Sequence, residues 1–421
     1  MPSVFYRLIA VQFISALADN ALLILAIARL VELAADDWAT PLLKLSFTLC
    51  YVFLAPFVGP LADAWPKGRV MMAANGLKAC AALMLLGGVD PMLALAFAGL
   101  GAAIYAPAKY GLVIELLPSH QLVRANGYVE GSTVCAVILG TVAGGLLVSP
   151  SFRHFTMPES FIDVVHFLVD LFHFSLPEST LHAGMVSLLL LYALAAVMNI
   201  GVVDSGARYP HHTLHLGAVV KRFFSENSRL WRDPLGGISM AVTTVLWGIG
   251  ATLQLIVLRW ATESLGLALD KAAYLQGVTA LGVVVGAALA SRLISLSNAT
   301  KLLPIGIVLG LLVPAMSGIH SLAWAACLLT LVGALAGFFV VPMNALLQHR
   351  GSRLLTAGRS IAVQGFNENG GILLMTALYA AATAWHVPLH SLLWCFGLLV
   401  ASAMAMVLIA HYSNTKVKVT A

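Results

Sequence analysis

The chain has 421 residues, of which 60% are hydrophobic and only 10% are charged. Soluble domains carry about 25% charged residues, so this composition excludes a soluble globular protein. The net charge of +5 does not indicate nucleic-acid binding, because the basic residues lie in short segments between apolar stretches and no nucleic-acid-binding motif is present. We therefore expect a protein that lies mostly within a lipid bilayer.

Apolar segments long enough to cross a bilayer recur along the whole chain. About 20 helical residues span a hydrocarbon core of about 30 Å. Within lipid, helices satisfy their own backbone hydrogen bonds, whereas isolated strands do not. The sequence predicts an all-α polytopic membrane protein. Its twelve predicted spans are 5–33, 42–63, 69–89, 92–117, 121–148, 183–203, 235–261, 272–295, 301–319, 322–349, 355–385 and 388–411.

The basic residues predict the orientation. With the N-terminus in the cytoplasm, sixteen of the 23 lysines and arginines lie in cytoplasmic segments. Cytoplasmic loops of membrane proteins carry such an excess, so both termini are expected in the cytoplasm. The predicted domains are an N-terminal six-helix bundle at 1–203, a central cytoplasmic loop at 204–234 and a C-terminal six-helix bundle at 235–421.

A long outer connection, 150–182, is predicted between spans five and six. Within it Asp163, His166 and Asp170 recur at helical spacing between apolar residues. This pattern indicates either an amphipathic helix on the outer membrane surface or a cap packed on span five. The central loop carries three histidines, His211, His212 and His215, which we interpret as solvated residues rather than a metal site. No cofactor is expected.

The segment between spans two and three has the composition of a conformational gate. Gly59 would allow close helix approach, Asp63 could meet the positive N-terminus of a facing helix, and Arg69 could bridge to a carboxylate. Lys67 adds a second positive charge beside Gly68. The alternative is a positively charged loop with a chance aspartate. Two six-helix halves around this motif resemble the layout of the major facilitator superfamily.

Ionisable residues inside the spans are the candidate substrate-binding residues, because burying them in lipid is costly. Asp19 lies in span one beside Asn20, and Glu368 lies in span eleven within a cluster of amides and glycines. Each could instead be a protonated structural carboxyl. Lys109 and Glu130 lie at similar depth in neighbouring spans, so they could form an ion pair that is either structural or part of the substrate site.

These residues lie in stretches that together resemble the bacterial lysophospholipid transporters. The matching stretches are Ser15–Leu23, Ala55–Gly59, Lys67–Lys78, Ala106–Gly111, Ala125–Thr133, Leu246–Gly248, Gly337–Gln348, Ile361–Gln364 and Glu368–Asn369. The resemblance implies a multi-pass bacterial inner-membrane flippase, expected to be a monomer. It implies movement of lysophospholipids, chiefly lysophosphatidylethanolamine, to a cytoplasmic acyltransferase coupled to an acyl-carrier-protein synthetase. On the same ground Trp247, Asn344 and Gln364 join the candidate substrate-binding residues.

One position departs from the family pattern. The family often has Arg where this chain has Gln254, and the nearest basic residue is Arg259. The rival hypothesis is a proton-coupled exporter of cationic amphiphilic drugs, which would use the same buried acids. A membrane-embedded acyltransferase would need a His-x4-Asp pair, and that spacing does not occur in the sequence. We therefore do not expect an enzyme.

Overall fold

A computed structural model describes residues 1–35, 39–149, 179–207, 209, 215–267 and 269–420. Within these ranges the secondary structure is helical, with fourteen α-helices joined by short turns and 3-10 segments. The α-helices are α1 Ser3–Glu32, α2 Ala39–Phe53, α3 Ala55–Ala64, α4 Lys67–Leu86, α5 Pro91–Leu116, α6 Leu122–Val148, α7 His182–Ile200, α8 Leu216–Arg232, α9 Pro234–Leu265, α10 Leu269–Leu293, α11 Leu303–Ala315, α12 Leu322–Leu354, α13 Ala357–Ala384 and α14 Leu389–Thr420.

The second predicted span is not one straight helix. It consists of α2 and α3, whose axes differ by 64° across a break at Leu54. Pro56 lies in the first turn of α3 and has no backbone N–H to donate back into α2. Proline at the start of a helix is well tolerated, so the chain bends here rather than continuing as predicted.

Ten helical segments of the described residues are long and apolar enough to cross a membrane, and the bent pair α2–α3 adds an eleventh. The eleventh predicted span is occupied by α13, which has 28 residues and is long enough to cross a membrane. It is less apolar than the ten segments and is therefore not counted among them. The cluster of amides, glycines and Glu368 in its middle explains the difference. The chain is an all-α, multi-pass membrane protein.

The helices form two compact units. Unit 1 comprises Met1–Leu116, Cys135–Leu214 and Ala357–Ala362, and unit 2 comprises Leu117–Val134, His215–Thr356 and Val363–Ala421. Helices α6 and α13 therefore each contribute to both units. In unit 1, α4 packs between α5 and α7, and the core is built from small and aliphatic side chains with the buried Tyr192.

In unit 2, α10 and α12 pack through glycines spaced four residues apart. Gly282 and Gly286 on α10 face Gly333 and Gly337 on α12, in the small-xxx-small spacing of membrane helix pairs. A Cβ atom at Gly286 would lie 1.9 Å from the carbonyl oxygen of Ala334. Any larger residue there would force these two helices apart.

Two predicted segments fall partly outside the described residues. The outer connection, with Asp163, His166 and Asp170, lies outside them almost entirely, as do His211 and His212. The central segment 204–234 is not only a loop, because α8 occupies most of it. Within the described ranges, no group of histidine, cysteine and acidic side chains has the arrangement of a metal site.

Candidate functional site

Asp19 on α1 is held by an ammonium group and a phenol. Lys78 Nζ on α4 lies 2.7 Å from Asp19 Oδ2, and Tyr192 on α7 donates its hydroxyl hydrogen to Asp19 Oδ1 over 2.9 Å. Three helices of unit 1 thus meet at one carboxylate. The Asp19 side chain is 18% exposed and that of Lys78 is 2% exposed, so the aspartate is the more accessible partner of the pair.

The Lys78 ammonium is surrounded by further polar and aromatic groups. It donates to Ser15 Oγ over 3.0 Å and lies 5.0 Å from the centre of the Tyr105 ring. Ser15 in turn donates to Asn75 Oδ1 over 2.7 Å. Asn75 Nδ2 and the Tyr105 hydroxyl are buried without a hydrogen-bond partner among the described residues. Two unused polar groups therefore adjoin the ion pair, and we call these residues together with Asp19 and Tyr192 the Asp19–Lys78 cluster.

Asn20 and Lys109 also belong to unit 1. Asn20 Nδ2 donates to the Ala16 carbonyl of its own helix over 2.8 Å. The side-chain oxygen of Asn20 takes no part in that hydrogen bond. Lys109 Nζ donates to Gln12 Oε1 over 3.1 Å and lies 4.1 Å from the centre of the Tyr110 ring. The coupling of Lys109 to Glu130 stays a prediction.

In unit 2 two carboxylates are linked by amides. Asn344 Nδ2 on α12 donates to Glu130 Oε1 over 3.4 Å. Gln364 Nε2 on α13 donates to Asn344 Oδ1 over 3.2 Å and to Glu368 Oε1 over 2.7 Å. The side chain of Trp247 on α9 lies beside the Glu368 carboxylate. These five residues, each a candidate from the sequence, form one group that we call the amide chain, in which Glu130, Asn344 and Gln364 are buried and Trp247 and Glu368 are half-buried.

A second amide contact supports the amide chain one helical turn away. Asn126 Nδ2 donates to Gln348 Oε1 over 2.8 Å, and Gln348 Nε2 donates back to Asn126 Oδ1 over 3.0 Å. Asn126 precedes Glu130 by four residues, and Gln348 follows Asn344 by four, so the two contacts lie on the facing sides of antiparallel helices. This reciprocal pair fixes the register of α6 against α12.

Two of the predicted gate residues, Gly59 and Asp63, lie at the N-terminus of α13. Asp63 accepts hydrogen bonds from the backbone N–H of Gly358 over 2.8 Å and of Arg359 over 3.3 Å. A carboxylate there is stabilised by the unpaired amides of the first helical turn. A Cβ atom at Gly59 would lie 2.8 Å from the Cα of Arg359, so this glycine permits the close approach of α3.

Lys67, rather than Arg69, forms the ion pairs of this motif. Its Nζ lies 2.5 Å from Glu115 Oε1 and 3.7 Å from Asp63 Oδ1, in a site where all three side chains are buried. Arg69 is exposed and forms no ion pair within the described part of the chain, so the predicted bridge from Arg69 to a carboxylate is not found. Lys67 supplies the positive charge next to Asp63.

Two side chains of the segment after α7 donate hydrogen bonds to Glu115. Ser205 Oγ donates to Glu115 Oε2 over 2.5 Å, and the Tyr209 hydroxyl donates to Glu115 Oε1 over 2.9 Å. Burial, and then the nearby Glu115 carboxylate, raises the pKa of the Tyr209 phenol, which therefore stays a neutral donor at physiological pH. The start of the central segment is thus attached to the gate residues.

Sequence reasoning missed the partners of its own candidates. Lys78 lies within the predicted span 69–89 but was not assigned to Asp19, and Glu115 was not assigned to Lys67. Charge balance would have indicated these pairs. A lysine in an apolar helix needs a carboxylate partner, just as a carboxylate there needs a cation. Arg259, discussed for the missing family arginine, pairs instead with Glu263 over 2.7 Å, near the end of α9.

Comparison with known proteins shows which family this chain resembles. The family model for the Major Facilitator Superfamily matches residues 8–376. The chain is 40% identical over 399 residues to the lysophospholipid transporter LplT of Citrobacter koseri, covering 94% of this chain and 93% of that protein. The protein of the same name from Salmonella arizonae gives the same identity and coverage.

Solved structures share the fold at low sequence identity. A bacterial homologue of the iron transporter ferroportin in the outward-facing state gives a TM-score of 0.69 at 14% identity, covering 99% of this chain and all of that one. The transporter FucP in the outward conformation gives 0.65 at 16% identity, covering 97% of both chains. At these identities the likeness concerns the fold alone.

Proposed function

The chain belongs to the Major Facilitator Superfamily and, within it, to the lysophospholipid transporter family, and on that premise we propose that it moves lysophospholipids across the bacterial inner membrane. The observation that carries the proposal is the 40% identity to lysophospholipid transporters over 94% of the chain. In this proposal the lysolipid reaches the cytoplasmic leaflet by alternating access. A cytoplasmic acyltransferase coupled to an acyl-carrier-protein synthetase then reacylates it.

The chemistry of the substrate fits the buried groups of unit 1. Lysophosphatidylethanolamine, the substrate we expect to be preferred, carries an ammonium and a phosphate on a single-chain lipid. The Asp19 carboxylate can take the ammonium, and a lysine ammonium can take the phosphate as a point charge. Lys78 already occupies Asp19, so the head group would exchange one charge partner for another without leaving either charge alone in a low dielectric.

The contacts of Asp63 support a role in alternating access. A transporter changes state by breaking one set of contacts and forming another, and a ligand shifts that equilibrium only if it favours one of the states. Asp63 accepts two hydrogen bonds from backbone N–H groups in the first turn of α13. In the proposed cycle these bonds break when the cytoplasmic side opens and form again when it closes.

The test is a flipping assay with the purified chain in liposomes. Labelled lysophosphatidylethanolamine is placed in one leaflet, and its appearance in the other is followed with a membrane-impermeant reagent. We expect the wild-type chain to accelerate flipping and Asp19→Asn to reduce it. Glu263→Gln is the matched control, because Glu263 is an exposed carboxylate at the end of α9. Wild-type flipping no faster than in empty liposomes would overturn the proposal.

Further versions of the assay determine which head group is preferred and whether transport is coupled to an ion. Lysophosphatidylcholine and lysophosphatidylglycerol test the head-group preference, and proton and sodium gradients test ion coupling. A cationic dye tests the rival drug exporter, whose specific support is the half-buried Glu368 carboxyl in the amide chain. Dye transport that requires Glu368 and a proton gradient, without lysolipid flipping, would replace the proposed function by that rival.

A further inference from the structure

Helix α8 has one apolar and one basic side. At 100° per residue, Phe223 and Leu230 lie together on one side, where both are buried. The side chains of Ser225, Ser228, Arg229 and Arg232 recur at three, four and seven residues and lie on the other side. This division is typical of helices that lie along a membrane surface.

The apolar side of α8 is attached to α13 within unit 2. The Phe223 ring lies 5.3 Å from the Phe366 ring in an edge-to-face arrangement. Trp231 Nε1 donates to Asn367 Oδ1 over 2.9 Å, and Asn367 Nδ2 donates to Asn227 Oδ1 over 2.7 Å. These contacts fix the rotation of α8, so its basic side has a defined direction.

The basic side opens onto a cavity of about 430 Å³. Two serines and two arginines of α8 line it, together with the turn into α9 and the end of α12. The complete lining is Ser225, Ser228, Arg229, Arg232, Asp233, Pro234 and Leu354. Its polar groups are mostly hydrogen-bond donors, which is the composition that binds phosphate oxygens.

The cavity keeps its positive charge because its one carboxylate is already neutralised. Asp233 receives both a bond from Arg350 Nε over 3.0 Å and a second one from Arg350 Nη2. It also caps α9 by accepting from the backbone N–H of Gly236 over 2.7 Å. Arg229 and Arg232 form no ion pair with the residues that the structure describes, whereas Arg222 on the same helix pairs with Glu226.

The neighbourhood of the cavity favours a lipid over a soluble anion. Asp233 is followed at once by Pro234, the first residue of the membrane-spanning α9, so the cavity lies where the chain enters the bilayer. At the edge of the apolar side, Phe224 is 51% exposed and Trp231 is 39% exposed. Tryptophan at this level is typical of the membrane–water interface.

We propose that α8 is a binding site for the phosphate of an anionic diacyl phospholipid at the membrane surface. Arg229 and Arg232 bind the phosphate oxygens, Ser225 and Ser228 donate to them, and Phe224 and Trp231 lie against the acyl chains. None of its residues is among the candidate substrate-binding residues of the proposed function. It would make the transporter responsive to the anionic lipid content of its own membrane.

The test measures binding to the full purified chain in detergent. The probe is dihexanoylphosphatidylglycerol, with dihexanoylphosphatidylcholine as the neutral lipid and inorganic phosphate as the soluble anion. Arg229→Gln with Arg232→Gln should raise the dissociation constant for the anionic lipid about 30-fold, since each basic residue near a membrane surface contributes about five- to sixfold. The matched control is Arg222→Gln, an arginine of α8 already paired with Glu226, for which we expect less than about a twofold change.

Further measurements keep the proposal falsifiable if the double variant folds poorly. Arg229→Lys with Arg232→Lys keeps the charge and should retain most of the binding, and added salt should weaken binding of the wild-type chain. Equal binding of the anionic and the neutral lipid would overturn the proposal, as would unchanged binding in a folded double-glutamine variant. Inorganic phosphate binding as tightly as the lipid would show a soluble-anion site and would also overturn it. Binding of an acidic soluble protein in preference to the lipid would do the same.

Discussion

Asp19 and Glu115 in unit 1 are held in a different way from Glu368 in unit 2. In unit 1 Asp19 has an ammonium partner, Lys78, and Glu115 has Lys67. In unit 2 Glu368 receives its hydrogen bond from the amide of Gln364, and it forms no ion pair among the described residues. The two carboxylates of unit 1 thus have a cation as partner, whereas Glu368 has a neutral amide.

This difference between a cation partner and an amide partner predicts which substitutions each unit can tolerate. Removing one partner of a buried ion pair leaves the other charge uncompensated, which costs more than the pair itself contributes. An amide partner of a carboxyl can bind the charged form by donating, or the neutral form by accepting. Unit 1 should therefore be sensitive to single neutralisations, and the amide chain should fold with its carboxyl in either protonation state.

The largest effect is expected at the Asp19–Lys78 cluster. Lys78→Met leaves the Asp19 carboxylate without its ammonium and should lower the free energy of unfolding by about 3–5 kcal/mol. Lysolipid flipping should be lost with it. Thermal unfolding in detergent measures the first effect, and the liposome assay measures the second. Lys301→Met, at an exposed lysine, is the matched control.

A double variant sharpens this comparison. Lys78→Met combined with Asp19→Asn removes both charges and should recover much of the stability lost by either single change. Recovered stability without recovered flipping would show that the pair contacts the substrate. Losses that simply add would contradict the direct interaction seen between these two side chains.

A smaller, local effect is expected at the gate. Asp63→Ala removes two charge-assisted hydrogen bonds from the first turn of α13, each worth about 1.5–3 kcal/mol. The backbone amides of Gly358 and Arg359 should then exchange with deuterium about ten to a hundred times faster, and turnover should slow. Asp63→Asn keeps an acceptor oxygen and should have a weaker effect. Unchanged exchange in Asp63→Ala would contradict the role of this carboxylate.

A still smaller loss of stability is expected in the amide chain. Glu368→Gln keeps the size of the side chain and an oxygen that can accept from Gln364, so the free energy of unfolding should change by about 1 kcal/mol or less. Transport should nevertheless fall if the carboxyl contacts substrate. A loss as large as that of Lys78→Met would remove the distinction between the two units.

The smallest effect is a pH dependence outside the spans, at Asp233. Burial alone would raise the pKa of this carboxyl, but hydrogen bonds from Arg350 and from the Gly236 and Leu235 amides hold it below the ordinary value. A lowered folded-state pKa gives stability that is present above about pH 4, the unfolded value, and is lost as the pH falls through the folded value. The Asp233 contribution to the unfolding temperature of the wild-type chain should therefore be present and constant between pH 5 and 8. An Asp233→Asn variant should differ less from the wild-type chain below pH 4 than above it.

The family resemblance and the helical membrane fold that were inferred from sequence are both confirmed. Span positions followed from runs of apolar residues, because lipid imposes one requirement on every spanning segment. The break between α2 and α3 was not predicted, although Pro56 marks it. Helix α8 was taken for a loop because its apolar residues are too few for a span, and only their helical spacing indicates the amphipathic side.

By itself the sequence determined which groups would be buried in the spans, because a charged residue in an apolar run has no other place to lie. It therefore indicated Asp19 and Glu368 inside the spans, and the gate motif between spans two and three indicated Asp63, in each case without the partner. Only the tertiary structure decided those partners, since Lys78 is 59 residues from Asp19 and the Gly358 amide is 295 residues from Asp63. Pairing over such distances depends on how the helices rotate and pack, and the packing is set by many small contacts that no local pattern records.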